Sequence, residues 1–246
     1  MNYRIVPFAA MLGLIGAALL LIPSFFAEPA AEMPAGGMDM DHHHHMDAAA
    51  PSDDGAFHRR FNDAEKWVKV FDDPERDAWQ KPEQVIDALK LVPASTVADV
   101  GAGTGYFSVR IAKRIPEGKV FAADVEPDMV HYLGERAKGE HISNLVPVQA
   151  SADAANLPEA ADLVLVVDTF HHIGNRSAYF TKLKSSLKPG GRLAIIDFKK
   201  DSPMGPPAEY RFTPEKVEEE VKAAGFTLAE SYDFLPRQYF LVFKAS

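Results

Sequence analysis

The sequence predicts an α/β domain built on a seven-stranded, mostly parallel β-sheet with helices on both faces. Three observations lead to this class. Apolar runs alternate with amphipathic helical patterns from residue 96 onwards, which is typical of parallel strands joined by crossover helices. A glycine-rich turn follows the first run, and the second run ends in an acidic residue. The chain closes with two apolar runs joined by a short turn, which predicts an antiparallel last strand.

The first 56 residues differ from this domain. Residues 5–22 carry no charge and follow Arg4, so we predict a membrane anchor or signal segment over residues 1–27. Residues 28–56 lack periodicity and are rich in Ala, Pro, Asp and Met, which predicts a disordered linker. Four consecutive histidines at 42–45 allow weak metal binding there, with a plain solvated tether as the alternative.

Residues 57–92 are predicted to form an N-terminal helical cap. Helical patterns in this segment are broken at Pro74 and Pro82. We expect the segment either to cover the mouth of a ligand site or simply to pack on the sheet. It is rich in long cationic and aromatic side chains, namely Arg59, Arg60, Trp67, Arg76 and Trp79.

The remaining residues, 93–246, are predicted to form the α/β domain. The apolar runs place strands at 96–100, 119–124, 145–149, 162–168 and 191–198. The periodic patterns place helices near 105–115, 127–138, 175–187 and 214–224. The last two strands fall within 225–244, on either side of a turn at Pro236.

The turn after the first strand reads Gly101-Ala102-Gly103-Thr104-Gly105-Tyr106. Glycine lets the backbone approach a ligand closely and permits positive φ. The second strand ends in Asp124, whose carboxylate can accept hydrogen bonds from both ribose hydroxyls. The pairing predicts a nucleoside site. Because Tyr106 stands where a dinucleotide fingerprint has its third glycine, the spacing disfavours an NAD-linked oxidoreductase.

The run VADVGAGTGYFSVRIA (97–112) resembles motif I of the class I S-adenosylmethionine-dependent methyltransferases, with Asp99 at the acidic position. Four further segments resemble the family in order: ADVEPDMV (123–130), QASADAANLP (149–158), DLVLVVDTFHHI (162–173) and LKPGGRLAIIDF (187–198). The last is similar to the branch with the ubiquinone and menaquinone C-methyltransferases. The resemblance covers roughly residues 80–245 and implies a Rossmann-like fold.

The resemblance implies S-adenosylmethionine as the cofactor. It assigns the ribose to Asp124, the adenine amino group to Asp153 and the adenine ring to the backbone N–H of Ala154. Ser151-Ala152 departs from the family, which often has glycine before this aspartate. The cofactor-binding residues predicted in all are Asp99, Gly101, Gly103, Gly105, Tyr106, Asp124, Val125, Glu126, Asp153, Ala154 and Asp168.

His171 and His172 follow the fourth strand and are the candidate catalytic residues. A histidine of near-neutral pKa can take a proton from the acceptor of the methyl group. The alternative is a structural role for either, and we favour His171 as the base because it lies nearer the strand end. No metal is predicted, since Phe198 stands where a further oxygen ligand would follow Asp197. A Pro-rich loop at 199–213 offers the polar groups of Tyr210 and Arg211 to a substrate.

The amino-acid composition limits the classes of substrate and catalytic chemistry that we predict. The formal net charge of −9 disfavours nucleic acid, and the absence of cysteine excludes thiol catalysis. We therefore predict methyl transfer to a small molecule, with a lipid-like acceptor as one option. The alternative is a non-catalytic nucleoside-binding or metal-handling module tethered to the membrane. The sequence gives no indication of oligomeric state.

The N-terminal segment predicts a membrane-associated protein. Arg4 is the only basic residue before residue 59, so the positive-inside rule places the domain outside the cytoplasm. The supply of the implied cofactor favours the cytoplasmic side instead. The sequence leaves this topology open.

Overall fold

The structure is a computed structural model and describes residues 56–246. Its seven strands form one sheet in the order β3-β2-β1-β4-β5-β7-β6. β7 is antiparallel to both β5 and β6, and the other neighbouring pairs are parallel, which confirms the predicted fold class. The strands are β1 (Thr96–Val100), β2 (Lys119–Asp124), β3 (Leu145–Gln149), β4 (Ala161–Val167), β5 (Leu187–Phe198), β6 (Phe226–Tyr232) and β7 (Gln238–Ala245).

The helices that follow these strands lie close to their predicted positions. They are α4 (Tyr106–Arg114), α5 (Pro127–Gly139), α6 (Arg176–Lys184) and α7 (Pro214–Ala223). Two boundaries differ by three residues or more: α6 ends at Lys184 rather than at 187, and β5 begins at Leu187 rather than at 191. The pairing with β4 shifts between Ala161 and Leu163, so an irregularity in the ladder accommodates the Pro-Gly-Gly turn inside the strand.

Apolar side chains cover both faces of the central strands. Every residue of β1 is buried, which explains a continuous apolar run rather than an alternating one. One face packs against α3 (Pro82–Ala88), α4 and α5 through Ile111, Leu133 and neighbours. The other face packs against α6 and α7 through Phe180 and Val217. The molecule is therefore a three-layer sandwich over residues 82–245.

The N-terminal cap segment contains α1 (Ala64–Phe71), α2 (Arg76–Gln80) and α3. α3 belongs to the core, since Val85 and Ile86 are buried. The chain order places β1 at the point where successive crossovers leave in opposite directions, and ligands of open α/β sheets bind at the carboxyl ends of the strands there. The domain boundaries at residues 57–92 and 93–246 stay a prediction.

The predicted membrane association is wrong on the evidence of the structure. Within residues 56–246, no helix is both long and apolar enough to cross a membrane. The segment 1–27, on which that prediction rested, lies outside the described residues. So does nearly all of the linker at 28–56, including the four histidines.

Gly101 directly follows β1 with φ at +73°, and a Cβ built there would lie 2.1 Å from Thr169 Oγ1. Gly190 has a similar φ of +78° and no atom within 4 Å of such a Cβ. We expect Gly190→Ala to lower the free energy of unfolding by about 1–2 kcal/mol, the cost of a left-handed backbone. Gly101→Ala should cost about 1–3 kcal/mol more, because Thr169 must also move.

Urea unfolding of the two variants measures this difference. Equal losses of stability at both positions would show that Gly101 is required for its φ alone and that the contact with Thr169 contributes nothing.

Candidate active site

The glycine-rich turn between β1 and α4 is held rigidly by backbone hydrogen bonds. Gly101 N and Ala102 N both donate to Ala123 O, at 2.8 and 3.1 Å. Gly101, Gly103 and Gly105 all have positive φ, so side chains are disfavoured at each. The motif glycines therefore form a turn that leaves backbone, rather than side chains, at the carboxyl edge of the sheet.

Asp99 lies behind this turn and is 3% exposed. Its carboxylate accepts a hydrogen bond from Ser108 Oγ at 2.5 Å, which links β1 to α4. Burial raises the pKa of Asp99 to about 6, against the opposing effects of Ser108 and Arg76. The acid predicted from the motif is thus buried behind the turn, and its raised pKa lies not far below neutral pH.

Asp124 ends β2 and fastens the turn to the start of α5. One carboxylate oxygen accepts from Gly103 N at 2.8 Å and the other from Glu126 N at 2.9 Å. Burial raises the pKa of Asp124. A carboxylate has about four lone-pair positions, so acceptor capacity remains for a hydroxyl donor. Val125, between these residues, is 53% exposed and presents an apolar surface at the same strand end.

Glu126 is engaged by the N-terminal segment. Arg60 donates to both of its carboxylate oxygens, at 2.7 and 3.0 Å, and Phe61 N donates to it at 3.3 Å. The Arg60 side chain is 78% exposed, whereas that of Glu126 is 6% exposed. In this structure the predicted cofactor residue Glu126 therefore holds the cap segment in place.

Residues 56–63, which we call the strap, cross the carboxyl edge of the sheet. At one end Phe57 N donates to His171 O at 2.8 Å. At the other end Asp63 N donates to Asp128 Oδ2 at 2.8 Å, at the start of α5. The ring of Phe71, at the end of α1, packs against Gly103. The strap and α1 thus cover the turn, as expected of a cap over a ligand site.

The two residues predicted to bind adenine have other partners in this structure. Asp153 has a side chain that is 73% exposed, and it pairs with Lys182 at 2.5 Å. The hydrogen bond from Lys182 lowers the pKa of Asp153. Ala154 N donates to Ser151 O at 3.3 Å within a local bridge. Both groups proposed for adenine therefore have other partners in the structure.

Asp168 follows β4 with a left-handed φ of +52°, a conformation that aspartate tolerates better than most residues. Gln238 Nε2 donates to one of its carboxylate oxygens, and Gln80 Nε2 lies 3.4 Å from the other. Burial raises the pKa of Asp168 to about 6, although nearby Arg76 favours the ionised form. A strained, partly buried acid at a strand end is typical of a functional site.

Tyr106 begins α4 and lies between two cations. Its ring centroid is 4.0 Å from Cζ of Arg76 and 4.1 Å from Cζ of Arg110. Its hydroxyl donates to Asp77 Oδ1 at 2.5 Å. The sequence marks Arg76 only as one of several cationic and aromatic cap residues and gives no local signal for Gln80. Both come from α2, whose placement follows from tertiary packing.

His171 forms a buried pair with Asp197, at the end of β5. His171 Nδ1 lies 3.0 and 2.9 Å from the two carboxylate oxygens. Phe198 N also donates to the carboxylate, at 2.7 Å, which fixes its orientation. With the proton of a neutral imidazole on Nδ1, the basic lone pair is on Nε2. Sequence reasoning placed Asp197 at the strand end but did not pair it with the histidine.

His172 has a different role in the structure. Its Nδ1 donates to Phe57 O at 2.5 Å and so anchors the strap. Burial lowers the pKa of His172 to about 3, which keeps the imidazole neutral. Its ring centroid lies 5.4 Å from both Phe57 and Phe61. The two histidines thus differ: one has a carboxylate partner and the other a backbone partner.

The Pro-rich loop separates its two candidate residues. The ring of Tyr210 lies 5.1 Å from that of Phe57, so it contacts the strap. Arg211 donates to the carbonyl oxygens of Pro206 and Ser202 at 2.7 and 2.6 Å, and therefore closes the loop on itself. Of the two residues, the structure brings Tyr210 to the site.

Residues 97–191 match a family model described as a methyltransferase domain, and this range holds the turn, Asp124, Asp168 and both histidines. A solved S-adenosylmethionine-dependent methyltransferase from Aquifex aeolicus superposes with a TM-score of 0.70 at 29% identity, covering 75% of this chain and 99% of that one. These findings agree with the resemblance to the class I S-adenosylmethionine-dependent methyltransferases. The predicted family, enzyme class and cofactor are confirmed at this level.

Curated relatives match over the same region. Trans-aconitate 2-methyltransferase of Rhodopseudomonas palustris is 27% identical over 54% of this chain and 48% of its own length. The ubiquinone/menaquinone biosynthesis C-methyltransferase of Shewanella pealeana is 28% identical over 47% of each chain. The chain thus spans about half the length of these curated relatives.

Because folding raises the pKa of Asp99 from 3.8 to about 6, the folded state binds this proton more tightly than the unfolded state. The contribution of Asp99 to stability therefore falls as pH rises between these values. We expect Asp99→Asn to gain roughly 2–3 kcal/mol of stability relative to the parent protein as the pH rises from about 4.5 to about 7.5. Urea unfolding without added cofactor measures it.

Asp153→Asn serves as the contrasting variant, because this exposed acid has a lowered pKa. Its stability difference should not move toward the variant as pH rises. If Asp99→Asn shows no dependence on pH, the buried acid is not perturbed as the structure implies.

Proposed function

We propose that this protein binds S-adenosylmethionine across the ends of β1, β2 and β4 and transfers its methyl group to a small-molecule acceptor. The observation that carries the proposal is the junction of turn and acid. The backbone of the glycine-rich turn faces the carboxyl edge, and the Asp124 carboxylate, with acceptor capacity remaining, is bonded directly to it. This arrangement suits a ribose placed over a backbone turn.

The residues present fit the nucleoside part of the cofactor. Asp124 would accept from the ribose hydroxyls, and the exposed Val125 side chain would contact the adenine ring. Asp153 and Ala154 would reach the adenine only if the Lys182 and Ser151 contacts were exchanged, which is inexpensive because the Asp153–Lys182 pair is exposed. The glycines and Asp99 would support the methionine part from below.

The strap must move for the cofactor to enter, since it and Phe71 cover the turn. At its Arg60–Glu126 pair, the Arg60 side chain is exposed to solvent, whereas Glu126 is buried. The strap would open from this exposed side to admit the cofactor and close again over it. Closure would place Phe57, Phe61 and Tyr210 around the acceptor and exclude water from the transfer step.

The cofactor supplies an electrophilic methyl group on a sulfonium centre. His171 would take the proton from the acceptor at Nε2 while Asp197 holds the Nδ1–H. The carboxylate fixes the tautomer and stabilises the imidazolium that forms, as in other histidine–carboxylate pairs. His172, neutral and bonded to the strap, would keep the closed strap in register above it.

Asp124→Ala in the full-length protein should weaken S-adenosylmethionine binding by about 1.5–3 kcal/mol, the value of hydrogen bonds to a charged group. Isothermal titration calorimetry measures the affinity. Asp87→Asn is the matched control, because Asp87 is an exposed acid of α3 paired with Arg114. Unchanged affinity in a folded Asp124→Ala protein would remove the ribose assignment.

His171→Ala should lower kcat about 10²–10⁴-fold with little change in cofactor affinity, as for the loss of a general base. Asp197→Asn should lower kcat in the same direction, because an amide holds the imidazole in the wrong orientation or tautomer. Methyl transfer to acceptors from a lipid and metabolite extract, followed by mass spectrometry, provides the assay.

His172→Ala is the control for the base. This substitution removes an anchor of the strap. We therefore expect the melting temperature or the cofactor affinity to fall, while kcat at saturating substrate changes little. Full activity of His171→Ala would leave catalysis to proximity alone, and a loss confined to His172→Ala would exchange the two roles.

A further inference from the structure

Arg76 is a buried cation that the proposed function has not used. It belongs to α2, and its side chain is only 14% exposed. It stacks on Tyr106, the first residue after the glycine-rich turn, and faces Asp168 at the end of β4. Burial lowers the pKa of Arg76, because desolvation disfavours the charged form of its guanidinium. A guanidinium in such a place needs either full pairing or a ligand.

The hydrogen bonds of Arg76 fix the direction of its guanidinium. Nε donates to Gln80 Oε1 at 2.7 Å, and Nη1 donates to Phe71 O at 2.7 Å. Nη2 lies 3.6 Å from Asp168 Oδ2, beyond hydrogen-bond distance. Within residues 56–246, Nη2 makes no hydrogen bond. Nη2, the guanidinium nitrogen nearest the end of β4, can therefore still donate hydrogen bonds.

The opposite charge, on Asp168, is held by two glutamine side chains. Gln80 and Gln238 are fully buried, and Gln80 Nε2 donates to Gln238 Oε1 at 3.0 Å. The same two amides contact Asp168. The network therefore places one cation and one anion side by side, both preorganised by neutral amides, between the turn and the end of β4.

We propose that Arg76 binds the carboxylate of the cofactor's amino-acid end, with Asp168 facing the ammonium group of the same moiety. This proposal rests on the proposed function. The amino-acid end carries one negative and one positive charge, and the network offers their complements. A rigid guanidinium fork suits a carboxylate, and buried charge-assisted hydrogen bonds are among the strong ones.

The placement also explains why α2 is fastened there. Arg76 holds the carbonyl of Phe71, whose ring packs against Gly103. One side chain would therefore contact the bound cofactor and position the covering helix α1. Occupancy of the site and closure of the cap would be linked through this residue.

The test compares S-adenosylmethionine with decarboxylated S-adenosylmethionine, which keeps the nucleoside, the sulfonium and the ammonium. Calorimetry on the full-length protein gives both affinities, with no acceptor present. We expect the parent protein to prefer S-adenosylmethionine by about 10- to 100-fold, as hydrogen bonds to a charged group predict. Arg76→Met should lose that preference, and its affinity for the decarboxylated ligand should change by less than about 3-fold.

Arg110→Met is the matched control, because Arg110 also stacks on the Tyr106 ring but pairs with Asp77 instead. It should retain the preference. Arg76→Lys keeps the charge but not the fork, so an intermediate preference is expected. This variant decides the matter if Arg76→Met fails to fold.

Equal losses for both ligands in a folded Arg76 variant would make the residue structural and overturn the inference. Unchanged binding of S-adenosylmethionine would also overturn it, including the case in which Arg76 serves a carboxylate on the acceptor. A parent protein that binds both ligands equally refutes only the role of Arg76. A parent protein that binds neither refutes the proposed function itself.

Discussion

The Asp124 carboxylate joins the pieces of backbone from which the candidate site is made. It accepts from Gly103 in the glycine-rich turn and from Glu126 before α5, while Ala123 O, its neighbour in β2, accepts from Gly101 and Ala102. Two adjacent strands and two helices thus meet at one short stretch of chain. The position of the turn, the entry of α5 and the attachment of the strap all follow from this junction.

The covering segment has two parts that differ in how firmly they are held. The strap is fastened by the pair between exposed Arg60 and buried Glu126, by two hydrogen bonds at Phe57, and by one each at Phe61 and Asp63. α2 is fastened by the buried network of Arg76 and Gln80. Breaking a buried network is costly. The fold therefore combines a buried support at α2 with a strap whose Arg60 anchor faces solvent.

Buried acids dominate the electrostatics of the site. Desolvation raises the pKa of Asp99, Asp124 and Asp168, so the ionised form of each is disfavoured. A ligand that brings positive charge into their midst would offset that cost. This charge balance fits the sulfonium and ammonium of the proposed cofactor better than it fits an anionic ligand, and it agrees with the net charge of the chain.

The sequence by itself determined the class of fold, the sheet elements and the positions of the glycine-rich turn and Asp124. These features are local: strand and helix periods, a glycine that permits positive φ, and an acid at a strand end can be seen in a few residues. The resemblance to a methyltransferase family added the cofactor. The structure corrected the membrane association, which had been predicted from one apolar run outside the described residues.

Only the tertiary structure decided which groups meet. The His171–Asp197 pair joins residues 26 apart, Arg60–Glu126 joins residues 66 apart, and Gln80–Gln238 joins residues 158 apart. No local pattern carries such pairings, because they depend on the order of the strands and on how the cap segment packs across their ends. The same packing turned Asp153 toward Lys182 and placed Arg76 beside the glycine-rich turn. Side-chain partners are chosen by burial and charge in the assembled fold, so the sequence named the candidate residues and the tertiary contacts assigned their partners.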